Sequence, residues 1–573
     1  MNNKISILFS VLVMCASAVL AEDKRPNIVV IMSDDAGYSD LGSFGGEIKT
    51  PNLDQLAADG MRLSSFYSNA RCSPTRASLL TGVEASYVGF GGGVVGDWVR
   101  ELPFPAHRGR LPYQQPLISE LLGANGYQTM MVGKWHLGGS YIKDNVETMS
   151  PAWIASHPPG MKLSKEEMQL DYLALPPQRG FQQSFTWIGA QGNLFFVEGD
   201  EHEYYEGNKK AKLKFESEYT IHQFADNPWA KQQYTANHGK TAKAFYATDG
   251  MTDKALLMLD DAAKKEQPFF MYVAFRAPHL PLQAPEELVQ KYLKRYEDLQ
   301  AVADNRHRGL VEQGLFPKDA PVRDNSWIWT EQKGGQSKEN IENYQLKAAL
   351  HAAMMEKLDA NVGRLVQQLK QSGEYDNTLI VYVSDNGGAA HIGDLMNQPY
   401  TGVKALLWEG GARTHGIISW PGVIKPGSIS DDLIWVGDLM PTFMEISKTQ
   451  FPETFRGAKP RPMDGRSVLA SLKGEEMAPP EVLYLNDKGQ QSLIYEGRWK
   501  LLIEPGWYLQ TSAKEGIAYE LYDLSVDPGE VNNLADKKPK LLKQLIAMAD
   551  KKRIESAVVD YAEIIKIKPK DPY

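Results

Sequence analysis

The sequence predicts an α/β fold: a large doubly wound mixed sheet flanked by helices, followed by a smaller C-terminal α+β domain. Three observations predict it. Four apolar runs of strand length each end in a polar cluster, a helical period lies between them, and the texture changes after about residue 456.

The four runs are Asn27–Asp35, Gln128–His136, Pro268–His279 and Thr378–Asn386. Continuous apolar stretches suit strands buried on both faces, as in parallel sheets. The clearest helix carries apolar or small residues at Tyr344, Ala348, His351, Met355, Leu358, Val362, Leu365 and Leu369, spaced by four and three, and stops near Gly373. His351 lies on that stripe and reads as a core histidine. Strands alternating with helices imply a doubly wound sheet, whose ligands bind beyond the carboxyl ends of the strands, where all four polar clusters fall. Residues 195–245 and 295–340 are polar and poorly periodic; they read as long insertions walling a cleft. After 456 come short strand-like pieces, Glu481–Leu485, Ser492–Tyr495 and Trp499–Ile503, and a last helix over Pro539–Lys551. The Gly-rich Val88–Gly93 lacks the Gly-Lys-Ser/Thr ending of a phosphate loop and reads as a turn.

With 573 residues, 43% of them apolar, the chain has material for more than one core. Its net charge of -9, with no long basic run, speaks against nucleic-acid binding. Mean hydropathy is -0.38. The one long apolar run, Ile5–Leu20 after Lys4, is too short and too early for a membrane span. It ends in small residues, with Val19 and Ala21 suited to a signal-peptidase cut, so residues 1–21 read as a removable signal. A lipid anchor on Cys15 fits poorly because Met14 is bulky. The chain therefore divides into a signal at 1–21, a main domain at 22–455 and a C-terminal subdomain at 456–573, exported to the periplasm or secreted, with no stable membrane insertion after cleavage. Removing the signal leaves one cysteine, Cys72, and no intramolecular disulfide.

Asp34-Asp35 and Asp385-Asn386 end two different runs, each after a serine. Adjacent acids at the end of a buried strand repel one another, and a hard cation relieves that repulsion. Carboxylate and amide oxygens suit Ca²⁺ or Mg²⁺ better than zinc. The second cluster is Arg71-Cys-Ser-Pro-Thr-Arg-Ala-Ser-Leu-Leu-Thr-Gly82. Pro74 fits a first helical turn with Ser73 near the cap, which puts Cys72 at a helix N-terminus that favours an anion, with Arg76 adding a cation. An ordinary helix start would explain Pro74 but not a lone thiol beside two arginines.

These residues match a family. Cys72-Ser-Pro-Thr-Arg76 with Ala-Ser-Leu-Leu-Thr-Gly after it resembles the first sulfatase signature, Cys-x-Pro-x-Arg, and Gly133-Lys-Trp-His-Leu-Gly138 resembles the second. Val383–Gly388, Lys404 with Glu409–Arg413, and Leu521–Leu524 with Asp527–Glu530 are similar to later blocks of the family, in the same order, from about residue 25 to 550. The insertions and Ala277-Pro-His-Leu-Pro-Leu-Gln-Ala-Pro285 look most like bacterial arylsulfatases. The resemblance implies the superfamily of alkaline phosphatase and a sulfuric ester hydrolase acting on aryl or carbohydrate sulfates. It further implies that a maturation enzyme oxidises Cys72 to formylglycine. The hydrated aldehyde attacks sulfur with one hydroxyl; a base then deprotonates the second, so the aldehyde re-forms and sulfate leaves.

Carried over by position, Asp34, Asp35, Asp385 and Asn386, with the modified Cys72, would bind one Ca²⁺, with Mg²⁺ as an alternative. Arg76 would hold the hydrated nucleophile, Lys134 and Lys404 the sulfate oxygens. His136 would assist breakdown of the sulfated enzyme, and His279 would protonate the leaving group. His391 and His415 match no assigned position. One departure stands out: where relatives carry a hydroxyl near the sulfate, this chain reads Trp187-Ile-Gly-Ala-Gln-Gly192, leaving Gln191 or Asn193 as substitutes. The rival readings are a phosphodiesterase or phosphonate monoester hydrolase of the same superfamily, and an inactive protein that binds sulfated glycans.

Overall fold

The structure is a computed structural model, which describes residues 25–92, 104–139, 165–189, 193–223 apart from 199, 201 and 203, 239, 241–323, 338–505 and 518–559. The expected signal at 1–21 and Gln191 lie outside the described residues.

The strand Asn27–Asp34 forms the spine of an 11-stranded mixed sheet. It runs parallel to Phe269–Pro278 on one side and to Thr378–Ser384 on the other, so Val30 faces both Tyr272 and Val381. Gln128–Lys134 adds parallel to Phe269–Pro278, and Gln183–Trp187 parallel to it in turn. Beyond Thr378–Ser384 the pairing becomes antiparallel: Arg413–Ser419 runs against it, and Met61–Tyr67 runs against Arg413–Ser419, back in the direction of the spine. The alternation of the spine splits the core. Val29 and Ile31 pack under the long helix Lys338–Gln371, while Ile28, Val30 and Met32 pack on the opposite face, which includes the helices Cys72–Thr81 and Leu439–Ser447. Covering both faces is what lets these strands be apolar throughout.

The C-terminal sheet is antiparallel, ordered Val482–Asp487, Gln490–Tyr495, Trp499–Ile503 and Tyr519–Asp523. Leu545 and Ala549 of the helix Pro539–Glu555 fill its face with Leu493, Leu501 and Leu521.

Some expectations need correction. The cleft-wall stretch 195–245 contains five short strands: Tyr204–Glu206 and Lys209–Lys210 extend the large sheet, while Phe195–Val197, Ser217–Gln223 and Thr241–Tyr246 make a four-stranded sheet with Gln283–Pro285. Phe195, Tyr219 and Tyr246 hold it by ring contacts too widely spaced to register as a period. The stretch 295–340 holds the helix Leu299–Glu312. Ser73 is not the cap: the helix begins at Cys72 and is capped by extended Arg71, so Pro74 occupies the third position, still in the first turn, where a helix loses no N–H bond. Met61–Tyr67 and Arg413–Ser419 escaped notice because polar residues interrupt them: Arg62, Ser64 and Ser65 in one, Arg413, Thr414 and His415 in the other.

Candidate active site

All four polar clusters meet where the parallel strands end. A register shift between Met32 and Asp34 re-aims the end of the spine, and Asp35 follows in the left-handed region at φ 72°. The amide of Asp35 donates to Asp385 Oδ1 at 3.3 Å, and Asn386 Nδ2 donates to Asp35 Oδ1 at 2.8 Å. These contacts join the Asp34-Asp35 and Asp385-Asn386 pairs through their own strand ends. Asp34, Asp35, Asp385 and Asn386 are all buried.

Each carboxylate has a cation. Lys134, the last residue of its strand, reaches Asp34 Oδ2 at 2.6 Å. To do so it spans the intervening strand Phe269–Pro278, which lies between its own strand and the spine. Lys404 Nζ lies 2.5 Å from Asp35 Oδ1. Arg76 grips Asp385 Oδ2 through Nε at 3.1 Å and Nη2 at 2.7 Å, and its Nη1 donates to the Lys134 carbonyl at 3.0 Å. Burial alone would raise the Asp34 carboxyl, but Lys134, His279, Arg76 and Lys404 together hold it well below the usual range. Asp35 is lowered likewise, with burial opposed chiefly by Lys404 and His279. Asp385 goes the other way, pushed up to about 7 by burial and by Asp34 against the pull of Arg76.

Cys72 heads its helix and is buried, its thiol pushed up to about 12 chiefly by burial. An unmodified thiol there is protonated and a poor nucleophile. Its sulfur falls in one group with oxygens of Asp34 and Asp35 and a ring nitrogen of His279, all within 4.8 Å of one another. His279 therefore joins the tight group, whereas both oxygens of Asp385 are engaged by Arg76 and the Asp35 amide. Asp34 Oδ1 and Asn386 Oδ1 are buried with no hydrogen-bond partner among the described residues. Orphaned acceptors beside clustered carboxylates are what a hard cation would satisfy.

The two histidines differ in geometry and share a lowered pKa. His279 Nδ1 lies 2.7 Å from the Leu280 carbonyl, which only a protonated nitrogen satisfies, so Nε2 turns to the site, 3.7 Å from Asp35. Burial and then Lys404 push it down to about 4 against Asp35. Half-buried His136 sits at φ 55° just past the Lys134 strand, its amide bonded to the Ile188 carbonyl. Burial, Lys134 and Arg76 hold it well below the ordinary histidine range, and its Nδ1 has no hydrogen-bond partner among the described residues.

A profile of the sulfatase family matches residues 26–448. The chain belongs to the sulfatase family. A second profile, the C-terminal part of N-sulphoglucosamine sulphohydrolase, matches residues 403–557. An uncharacterized sulfatase of Schizosaccharomyces pombe is 30% identical, over 92% of this chain and 93% of its own. The arylsulfatase of Klebsiella aerogenes is 29% identical over 82% and 97%. Among solved structures, a protein in complex with its substrate D-glucosamine-2-N,6-O-disulfate aligns with a TM-score of 0.54 at 20% identity, covering 93% of this chain and 98% of that one. The phosphonate monoester hydrolase of Agrobacterium radiobacter aligns at 0.55 and 18%, covering 93% and 96%. The protein is thus a sulfatase, an enzyme of sulfate ester hydrolysis.

The remaining sequence-predicted residues fall as follows. His351 is a buried structural group, its Nε2 2.7 Å from Asp40. His415 stacks on Tyr382 and bonds the Gly37 carbonyl at 3.0 Å. His391 lies beside the site, lowered to about 3 by burial with Asp35 and His279 among its charged neighbours. Asn193 has its Oδ1 engaged by Gln283 at 3.0 Å. Sequence reasoning missed Tyr272, whose hydroxyl lies 3.4 Å from Arg76. It sits inside an apolar strand and gives no signal there. Among the described residues no helix is long and apolar enough to cross a membrane.

Proposed function

We propose that this sulfatase cleaves sulfate monoesters, aryl or carbohydrate, with Cys72 acting after conversion to formylglycine by a maturation enzyme. One observation carries the reading: a buried thiol grouped with two carboxylates and a histidine, ringed by three cations, at the ends of parallel strands. The donor set suits one hard ion, Ca²⁺ or Mg²⁺, with Asp34, Asp35, Asp385, Asn386 and residue 72 as its holders. Such an ion would polarise the sulfate group and the hydroxyl facing it. Hydrated formylglycine would supply one hydroxyl to attack sulfur and a second whose deprotonation releases sulfate. Export through residues 1–21, and a division between catalytic domain and C-terminal subdomain near residue 455, complete the proposal.

The chain's own residues supply binding and proton transfer. Asp34, Asp35 and Asp385 face Lys134, Lys404 and Arg76, so the pocket is close to neutral before any ion enters. With a divalent ion held there the pocket would be positive and would attract a monoanionic sulfate ester. Lys134 and Lys404, which reach the carboxylates that would hold the ion, would hold the sulfate oxygens. Arg76 orients the nucleophile from beneath. Neutral His136 has a ring nitrogen open to take a proton. The negative charge of the ester offsets Lys404 and so raises His279; with Nδ1–H held by the Leu280 carbonyl, the ring takes a second proton on Nε2 and passes it to the leaving oxygen. A sugar substrate draws support from the fold neighbour solved with a disulfated glucosamine.

The test is turnover of matched sulfate, phosphate and phosphonate esters and sulfated sugars by purified protein, with peptide mass spectrometry of residue 72. Sulfate turnover with an aldehyde at 72 is expected. Preference for phosphonate esters would favour the hydrolase rival, glycan binding without turnover the inactive binder. Full activity with an unmodified thiol would overturn the role of Cys72.

A further inference from the structure

Two alanines beside the site stand in the left-handed region, Ala70 at φ 55° and Ala405 at φ 75°. Ala70 lies two residues before Cys72 and Ala405 directly after Lys404. A side chain at positive φ carries a backbone cost that surrounding contacts must offset. The Ala405 amide donates to the Ala70 carbonyl at 2.8 Å, tying the two loops back to back. What holds them from outside is one hairpin of the C-terminal sheet. Its turn is Lys488-Gly489, at φ 50° and 98°, the two-residue form that needs positive φ at both positions. The residues closing it, Asp487 and Gln490, are paired in register. Each sends its side chain to a different loop. Gln490 Nε2 donates to the Ala405 carbonyl at 3.1 Å, and Asp487 Oδ1 accepts from Arg71 Nε at 2.6 Å. Both are 1% exposed, and Asn486 anchors the same hairpin on Glu84 at 2.9 Å.

We propose that this hairpin is a positioning clamp: Gln490 sets Lys404 through Ala405, and Asp487 sets Cys72 through Arg71. The reach of Lys404 to Asp35 begins from a backbone that a different domain holds in place. The clamp rests on the proposed roles of Cys72 and Lys404, and its test separates the two ideas.

Gln490→Met keeps the volume and removes the donor. Peptide-level hydrogen exchange should show residues 401–407 opening about three- to tenfold more often, the equilibrium worth of one hydrogen bond, with peptides of Thr378–Ser384 unchanged. Unchanged exchange over 401–407 would overturn the clamp, whether or not the wild type cleaves sulfate esters. A loosened 401–407 in a protein whose wild type cleaves none would leave the clamp standing and overturn the sulfatase chemistry. Turnover supplies a second arm. Gln490→Met should lower kcat/KM about tenfold or more, since misplacement of a charged group is amplified in the rate. In a Lys404→Ala background the same change should cost less than about twofold, because the residue it positions is gone. A full tenfold loss in both backgrounds would mean a general structural effect and overturn the assignment. Arg498→Ala, which removes a half-exposed arginine paired with Asp523 in the same sheet, should leave both readouts unchanged.

Discussion

Lys500→Met should uncover an ionic knot between the two domains and give it a pH signature. Lys500 Nζ lies 2.7 Å from Glu409 Oε1 and 2.8 Å from Glu530 Oε1, and all three side chains are fully buried. Glu409 keeps other support, from Tyr67 at 2.8 Å and Arg413 at 3.2 Å. Glu530 keeps one bond, from the Glu409 amide at 2.7 Å. Removing one partner of a buried ionic cluster typically costs about 3 to 5 kcal/mol. Burial already pushes the Glu530 carboxyl up to about 7 from 4.5, against the pull of Lys500. A raised carboxyl binds its proton more tightly folded than unfolded, so it destabilises the fold increasingly as pH rises from 4.5 to 7 and by a constant amount above. Without Lys500 that rise continues past 7. The stability gap between wild type and variant should be about 3 kcal/mol near pH 7. It should then widen by about 1.4 kcal/mol per pH unit toward pH 9. Urea unfolding followed by circular dichroism at pH 6, 7.5 and 9 measures it. A gap that is constant with pH, or smaller than about 1 kcal/mol, would refute the reasoning.

Further outcomes follow from the same geometry. His279→Ala should slow hydrolysis of alkyl or sugar sulfates about a hundredfold more than that of nitrophenyl sulfate, because only a poor leaving group needs the proton; equal losses would end its assignment as acid. Chelation should lower Tm and activity together, with Ca²⁺ at a hundred times its Kd restoring about 2.7 kcal/mol; elemental analysis of active protein finding no metal would contradict this. Gly133→Ala should destabilise by about 3 kcal/mol and disable the site, since an added Cβ would lie 1.9 Å from the Ala274 carbonyl at a residue with φ 99°; near-normal stability would show that the crossing strand yields.

The sequence showed four of the parallel strands clearly because each is an unbroken apolar run ending in chemistry, while the parallel Gln183–Trp187, with Gln183, Ser184 and Thr186 in it, did not stand out. Asp34 and Asp385 could be read from that pattern, Lys134 and His279 only from the family motifs they sit in, and the convergence of all four follows from adjacency along the sheet edge. The antiparallel half was less legible. Arg413 is 8% exposed and carries a buried ionic role inside a strand, which defeats a hydropathy reading. The cation partners were hidden for another reason. A lysine in sequence looks the same whether it meets water or, like Lys134, a buried carboxylate. The part played by Asp487 and Gln490 could not be read at all, since a polar turn over 400 residues away from Cys72 gives no hint of what it touches.

The register of four neighbouring parallel strands carries a consequence for how this enzyme can change. Asp34, Lys134, His279 and Asp385 leave from strand ends whose separation is set by backbone ladders, at about 4.8 Å per strand. Their mutual distances do not depend on the length of the segments joining those strands. The connection from Lys134 to Phe269 spans well over a hundred residues and carries its own small sheet, yet Gly133 still pairs with Ala274. Segments of that kind can be lengthened, shortened or exchanged at modest entropic cost. Reaction and recognition are thereby separable in this chain: grafting a relative's connecting segments onto the same strand ends should change which ester is accepted while leaving the hydrolytic step intact.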